Sequence, residues 1–164
     1  MSILTFAPEN RFYDKIRNGP KIGTIRDKPK KVGETLYLWE KKRGQKKGWY
    51  CGKCLTLDKK MSIVPGLTNL FLCHKCNSMT RWIRLPRKIA EKKCTACQEI
   101  RIIFSGDFLR IDCGDGLVNE IDPNTYLHPF ARGEGFNSNR EMIEWFRKHL
   151  KEGVWEKRYW IRWD

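Results

Sequence analysis

The sequence predicts an α+β chain: a small β-barrel flanked by helices and interrupted by a zinc-ribbon insertion. Three observations lead there. Short runs of alternating or aromatic residues, the mark of half-buried strands, recur along most of the chain. Helical spacing is confined to two stretches, one near each end. Between them lie three Cys-x-x-Cys pairs, at 51/54, 73/76 and 94/97, which account for six of the seven cysteines.

In order, "ILTF" reads as a first strand, and Pro8 opens a helix in which Phe12 and Ile16 lie at i, i+4 until Asn18-Gly19 stops it. "KIGTIRD" reads as extended. In "VGETLYLWEKK" Thr35, Tyr37 and Trp39 alternate with Leu36, Leu38 and Glu40, and "GWYCGKCLTLD" reads as a continuing strand. Pro65-Gly66 predicts a turn, and two cysteine pairs then bracket the basic segment "NSMTRWIRLPRKIAEKK". "RIIFSGDFLRIDCGDG" reads as strand, turn and strand. The capping box Ser138-x-x-Glu141 opens a helix with Met142, Trp145, Phe146, His149 and Leu150 at helical spacing, ended by Gly153. "RYWIRWD" closes the chain as a strand. The economical division is one barrel over residues 1–62 and 104–164, with a zinc ribbon over 63–103.

Composition narrows the function. With 164 residues, 40% of them hydrophobic and including seven Trp and eight Phe, the chain can bury a real core. No apolar run approaches the roughly 20 residues of a membrane span. "MSILTFAPEN" lacks the basic and long apolar regions of a signal peptide. The expectation is a soluble cytoplasmic protein with no membrane partner.

The net charge of +14 is uneven: residues 1–104 hold 24 Lys and Arg against 8 Asp and Glu, whereas 105–164 hold 9 against 11. Such a field attracts polyanions, and inside cells the expected one is nucleic acid. The runs "KPKK", "EKKRGQKKGW" and "RWIRLPRK" mix positive charge with aromatic or turn residues, as phosphate contact and base stacking require. Arg81, Trp82, Arg84, Arg87 and Lys88 are the candidate contacts.

Seven cysteines in an intracellular chain argue for metal rather than disulfides. Cys73, Cys76, Cys94 and Cys97, with 17 residues between the pairs, fit a closed tetrahedral and structural zinc site. Cys51, Cys54, Cys73 and Cys76, with 18 residues between pairs, fit the same window. The later set is preferred here because "GWYCGKCLTLD" reads as a strand, whose alternation would send Cys51 and Cys54 to opposite faces. Cys51, Cys54 and Cys113 are then small core residues, and His74 a bystander.

One further constellation carries chemistry. Lys21, Thr24 and Arg26 fall within six residues after a Gly-Pro turn, and "HPFARGEGFNSNREMIEWF" sets Glu134 between two glycines before a capped helix. A carboxylate on such a turn has little bulk around it and can approach another group closely.

These residues carry a resemblance. "ILTF", a short helix ending "IRNG", "KIGTIRD", "KVGETLYLWE", "FARGEGFNSNREMIEWF" and "WIRW" follow in the order found in the ASCH domain, a β-barrel family of the PUA-like superfamily linked to RNA. The resemblance covers roughly residues 1–60 and 105–164 and leaves the cysteine-rich stretch outside. Small bacterial members are N4-acetylcytidine amidohydrolases, so the resemblance implies catalytic roles for Lys21, Thr24 and Glu134, with Arg26 holding an oxyanion or phosphate. It equally accommodates a non-catalytic RNA-binding module and, ranked below both, a metal-independent ribonuclease. The zinc insertion and the charge depart from the small amidohydrolases and favour a polymer over a free nucleoside.

Overall fold

The protein is described from a computed structural model, covering residues 2–41, 44, 46–57, 62–63 and 70–164. The expected Pro65-Gly66 turn lies outside the described residues. In chain order the elements are β1 (Ser2–Phe6), a 3₁₀ turn (Pro8–Asn10), α1 (Phe12–Arg17), β2 (Gly23–Arg26), β3 (Thr35–Glu40) and β4 (Gly48–Cys51). Next come β5 (Ser62–Ile63), β6 (Phe71–Cys73), β7 (Ser78–Thr80), β8 (Trp82–Leu85) and β9 (Arg87–Ser105). The chain finishes with β10 (Phe108–Asp112), β11 (Val118–Ile121), α2 (Pro129–Gly133), α3 (Asn139–Arg147) and β12 (Glu156–Trp163). Many strands with a few short helices make this an α+β protein.

Two compact units result: residues 1–2, 14–36 and 91–164 form the first, and 3–13 and 37–90 the second. The division does not follow the expected 63–103 insertion. Residues 91–103 belong to the first unit, where they lie in β9, a strand of 19 residues from Arg87 to Ser105.

In the first unit β12 lies antiparallel between β2 and β9, and β10 joins β9 to β11. The end strands β2 and β11 do not pair with each other, so among the described residues this path is open rather than a closed barrel. Alternation on β9 buries Ile100, Ile102 and Phe104, and the register sets Ile102 and Phe104 opposite the buried Ile111 and Leu109 of β10. Helix α3 adds Met142, Ile143 and Phe146 to this unit's buried residues. The Ser138 hydroxyl accepts from the Glu141 backbone N–H at 3.1 Å, as the capping box predicts. Glu141 reaches back to the N–H of Asn137, one residue beyond the expected partner.

In the second unit β1 neighbours β3, β4 pairs with β8, and β5, β6 and β7 form a small sheet. Leu4, Phe6, Phe12 and Leu38 are buried, with the Phe6 and Phe12 rings edge to face at 6.2 Å. The expected first helix is split: Arg11 adopts a left-handed backbone (φ 51°) that closes the 3₁₀ turn before α1 starts. No helix among the described residues is long and apolar enough to cross a membrane.

Candidate functional site

The first unit brings Lys21 and Glu134 together. Lys21 precedes β2: its N–H donates to the Lys15 carbonyl at 3.0 Å, and the next residue, Ile22, donates to the Gly133 carbonyl at 3.0 Å. The strand alternation that would set Lys21 opposite Thr24 therefore does not apply to it. Its ammonium donates to the Glu134 backbone carbonyl at 2.5 Å and lies 3.2 Å from Glu134 Oε2. Lys21 is only 1% exposed and Glu134 5%.

The glycines flanking Glu134 have a local reason. Glu134 ends α2, and Gly135 turns the chain away at φ 81°, where a Cβ would fall 3.0 Å from Lys21 Cβ. A second lysine, Lys15, donates to the Gly135 carbonyl and to Asn137 Oδ1. Two ammonium groups thus fix the loop that presents the carboxylate.

Electrostatics set this pair apart. Burial pulls the Lys21 ammonium down from its usual 10.5 to about 8, against the opposing pull of Glu134. Burial also holds the Arg26 guanidinium below its usual range, and Glu134 again opposes the shift. One carboxylate oxygen of Glu134, Oε1, is buried without a hydrogen-bond partner among the described residues, as is the indole N–H of Trp160. Trp160 packs on Phe130 with ring centres 4.3 Å apart, and its N–H edge would lie 2.9 Å from any Cβ at Gly23. Thr24 is buried on β2, opposite Ile161. Sequence reasoning passed over Lys15 and Trp160; the aromatic repeat in "RYWIRWD" was the available signal for the latter.

The second unit gathers four thiols. The sulfurs of Cys51, Cys54, Cys73 and Cys76 all lie within 4.8 Å of one another and could hold a metal ion. The 51–76 and 54–73 sulfur pairs are each 3.7 Å apart. Four sulfurs at a zinc–sulfur distance of about 2.3 Å form a tetrahedron with edges of about 3.8 Å, so the donors fit the ion. Both pairs sit in tight turns. Cys51 Sγ accepts from the N–H groups of Lys53 and Cys54, at 3.4 Å each. The residues after each pair, Leu55 (φ 56°) and Asn77 (φ 48°), are left-handed and turn the chain back. Burial pushes the Cys51 thiol up to about 11; burial opposes the fall of Cys54 to about 6, and hydrogen bonds with Thr56 outweigh it.

This corrects the preferred ligand set. Strand β4 ends at Cys51 because residues 52–54 turn, the Leu55 N–H donating back to the Cys51 carbonyl at 3.0 Å. At the start of that turn a Cβ on Gly52 would fall 2.6 Å from the Arg81 carbonyl oxygen. Cys94 and Cys97 instead lie in the first unit within β9, opposite Trp163 and Ile161. Cys97 Sγ accepts from the Lys30 N–H at 3.3 Å, and burial raises the Cys94 thiol. Cys113 also lies in the first unit, and His74 is exposed and outside the four-sulfur cluster.

The expected nucleic-acid contacts divide. Trp82 is buried with Cys51 and Cys73, its ring edge to face with Phe71 at 6.3 Å, so it packs the cysteine core instead of facing a base. Arg87 is paired with buried Glu40 at 2.6 Å and lies over the Tyr13 ring at 3.5 Å. Lys88 lies 5.0 Å over Tyr37. Arg81 and Arg84 are exposed.

No protein-family model, curated protein or solved structure matches the chain.

Proposed function

We propose that this is a nucleic-acid-directed protein of the ASCH, PUA-like kind, whose first unit hydrolyses an amide on an acylated cytidine-type base. The observation that carries the reading is the Lys21–Glu134 pair, 3.2 Å apart and almost wholly buried. Burying a charged pair costs several kcal/mol per ion before attraction returns any of it, and such pairs with a displaced lysine concentrate at working sites.

The chemistry follows from a lysine that gives up its proton near neutrality. Neutral Lys21 takes the Thr24 hydroxyl proton as the oxygen bonds to the amide carbonyl carbon. Arg26 balances the negative charge on the carbonyl oxygen. The carbon–nitrogen bond then breaks, and Lys21 returns the proton to the leaving amine. Glu134 takes a proton from water, which attacks the threonine ester; the acid leaves, and the proton returns to the Thr24 oxygen.

The four-cysteine cluster is read as a closed, structural zinc site with no open position for substrate. Thiolate ligands suit a reducing cytoplasm.

The test is acetate release from N4-acetylcytidine, free and within RNA, by the native protein and by Lys21→Ala. Release that depends on Lys21 upholds the enzyme. A second reading, an RNA grip without turnover, is favoured by the excess of positive charge. It would stand if neither substrate releases acetate while Lys21→Ala weakens RNA binding.

A further inference from the structure

The charge of the chain is not shared between its units. The second unit, residues 3–13 and 37–90, holds 14 Lys and Arg against 3 Asp and Glu; the first holds 19 against 16. Eleven of the fourteen net positive charges therefore sit with the four cysteines. Phosphate attraction belongs to that unit, and the question is what a base would meet there.

Trp82 cannot serve, being buried. Trp49 can: it is 46% exposed on β4, one of three large apolar side chains left open among the described residues of this unit, with Ile3 and Met79. The register of β4 against β8 sets Trp49 directly opposite Arg84 and Cys51 directly opposite Trp82. Opposed residues of an antiparallel pair share a face, with Cβ atoms about 5 Å apart, and the face repeats every second residue. Trp49 and Arg84 thus form the open end of a stripe whose other end is the buried Cys51–Trp82 pair.

Below them Tyr50 and Leu85 are buried on the opposite face, and the Tyr50 hydroxyl donates to the Lys46 carbonyl at 2.6 Å. The ribbon carrying the indole is therefore held on both faces. Among the described residues the Arg84 side chain has no ion pair, hydrogen bond or ring contact, in contrast to Arg87 and Lys88. Lys46, Lys47 and Arg81 add exposed charge along the same two strands and their approaches.

We propose that Trp49 and Arg84 form a stacking platform for single-stranded nucleic acid, the indole taking a base face and the guanidinium a phosphate or a second face. The platform rests on the nucleic-acid reading above but not on catalysis at Lys21. A flat indole between flexible cations suits an unpaired base; a duplex would offer only its backbone.

The experiment is fluorescence anisotropy with labelled oligouridylate, oligothymidylate and a duplex of matched length, over a salt series. It compares native protein, Trp49→Ala, Trp49→Phe and Arg84→Gln. Zinc content by mass spectrometry and the thermal unfolding midpoint show that each variant is folded. Expected are single-strand binding that weakens steeply with salt, a loss of roughly ten-fold or more for Trp49→Ala with an unchanged salt slope, and near-native binding for Trp49→Phe. Arg84→Gln reduces the salt slope by about one. Equal binding of the two oligonucleotides makes the platform indifferent to the sugar; a preference for either assigns the source.

Salt-sensitive binding that folded Trp49→Ala retains in full overturns the platform and leaves the nucleic-acid reading standing. A preference for the duplex also overturns the platform. Absence of salt-sensitive binding by the native protein overturns both.

Discussion

The ammonium of Lys21 lies 3.2 Å from Glu134 Oε2 and bonds the backbone carbonyl of the same residue, with both side chains buried. A lysine in this position is held in place by one partner while burial weakens its hold on its proton. The two influences can be separated by experiment.

Catalysis by neutral Lys21 has a stated pH dependence. With the ammonium titrating at about 8, log kcat/KM rises with unit slope below that pH and levels off above it. Glu134 raises the Lys21 value, so Glu134→Gln moves the titration to lower pH. Titrating the Lys21 side-chain nitrogen by NMR reads this without turnover. A Lys21 signal near 10.5 in the native protein would refute the assignment.

The same shift enters stability. The folded value lies below the unfolded value, so between about pH 8 and 10.5 the unfolded chain holds a proton that the folded chain has released. Stability from this group rises with pH across that window, by about 3 kcal/mol at most. Below pH 8 the folded protein carries the cost in full. Urea midpoints at pH 7 and pH 9.5 should show a smaller gain in Lys21→Met than in the native protein.

Removing one partner should cost more than removing both. Lys21→Met leaves the Glu134 carboxylate buried and should destabilise by about 3–5 kcal/mol at pH 7; Lys21→Met with Glu134→Gln should recover most of that. A double-variant loss equal to the sum of the losses of Lys21→Met and Glu134→Gln alone would show that the pair is not coupled.

Gly135→Ala tests the loop that aims the carboxylate. Its φ of 81° strains any side chain, and its Cβ would press on Lys21 Cβ and Cδ at 3.0 and 3.1 Å. Gly153 has a similar φ of 72° with nothing within 4 Å, so Gly153→Ala isolates the backbone strain, about 1 kcal/mol. Gly135→Ala should exceed it by about 1 kcal/mol or more and displace the Lys21 titration.

Lys21 and Glu134 were legible because their local chemistry is unusual: a cation after a Gly-Pro turn and an acid between two glycines. Trp49 and Trp82 were not separable in the same way. Each lies in a basic run, and which one is buried depends on the pairing of β4 with β8, a contact between strands more than thirty residues apart. The cysteine choice failed for a different reason. Spacings of 17 and 18 residues fit one window, so spacing could not decide. Turn chemistry could have: Gly52 follows Cys51 and Asn77 follows Cys76, whereas the third pair encloses Thr95 and Ala96 and is followed by Gln98, with no turn-forming residue among them. The split of the first helix rests on a left-handed Arg11, which no residue preference announces.

That difference makes the metal prediction selective. Native mass spectrometry should find one zinc in the native protein, in Cys94→Ser and in Cys97→Ser, and none in Cys51→Ser or Cys76→Ser. Because binding energy of a structural zinc is folding energy, chelation should open the second unit first. Hydrogen exchange then has a distinct signature: amides of the β4–β8 ladder, such as Tyr50 and Ile83, lose protection. Those of the β9–β12 ladder, such as Ile100 and Arg158, keep it. Loss of zinc from Cys97→Ser would return the ligands to β9. Uniform loss of protection on chelation would make the two units a single cooperative structure, with the four cysteines holding the whole chain.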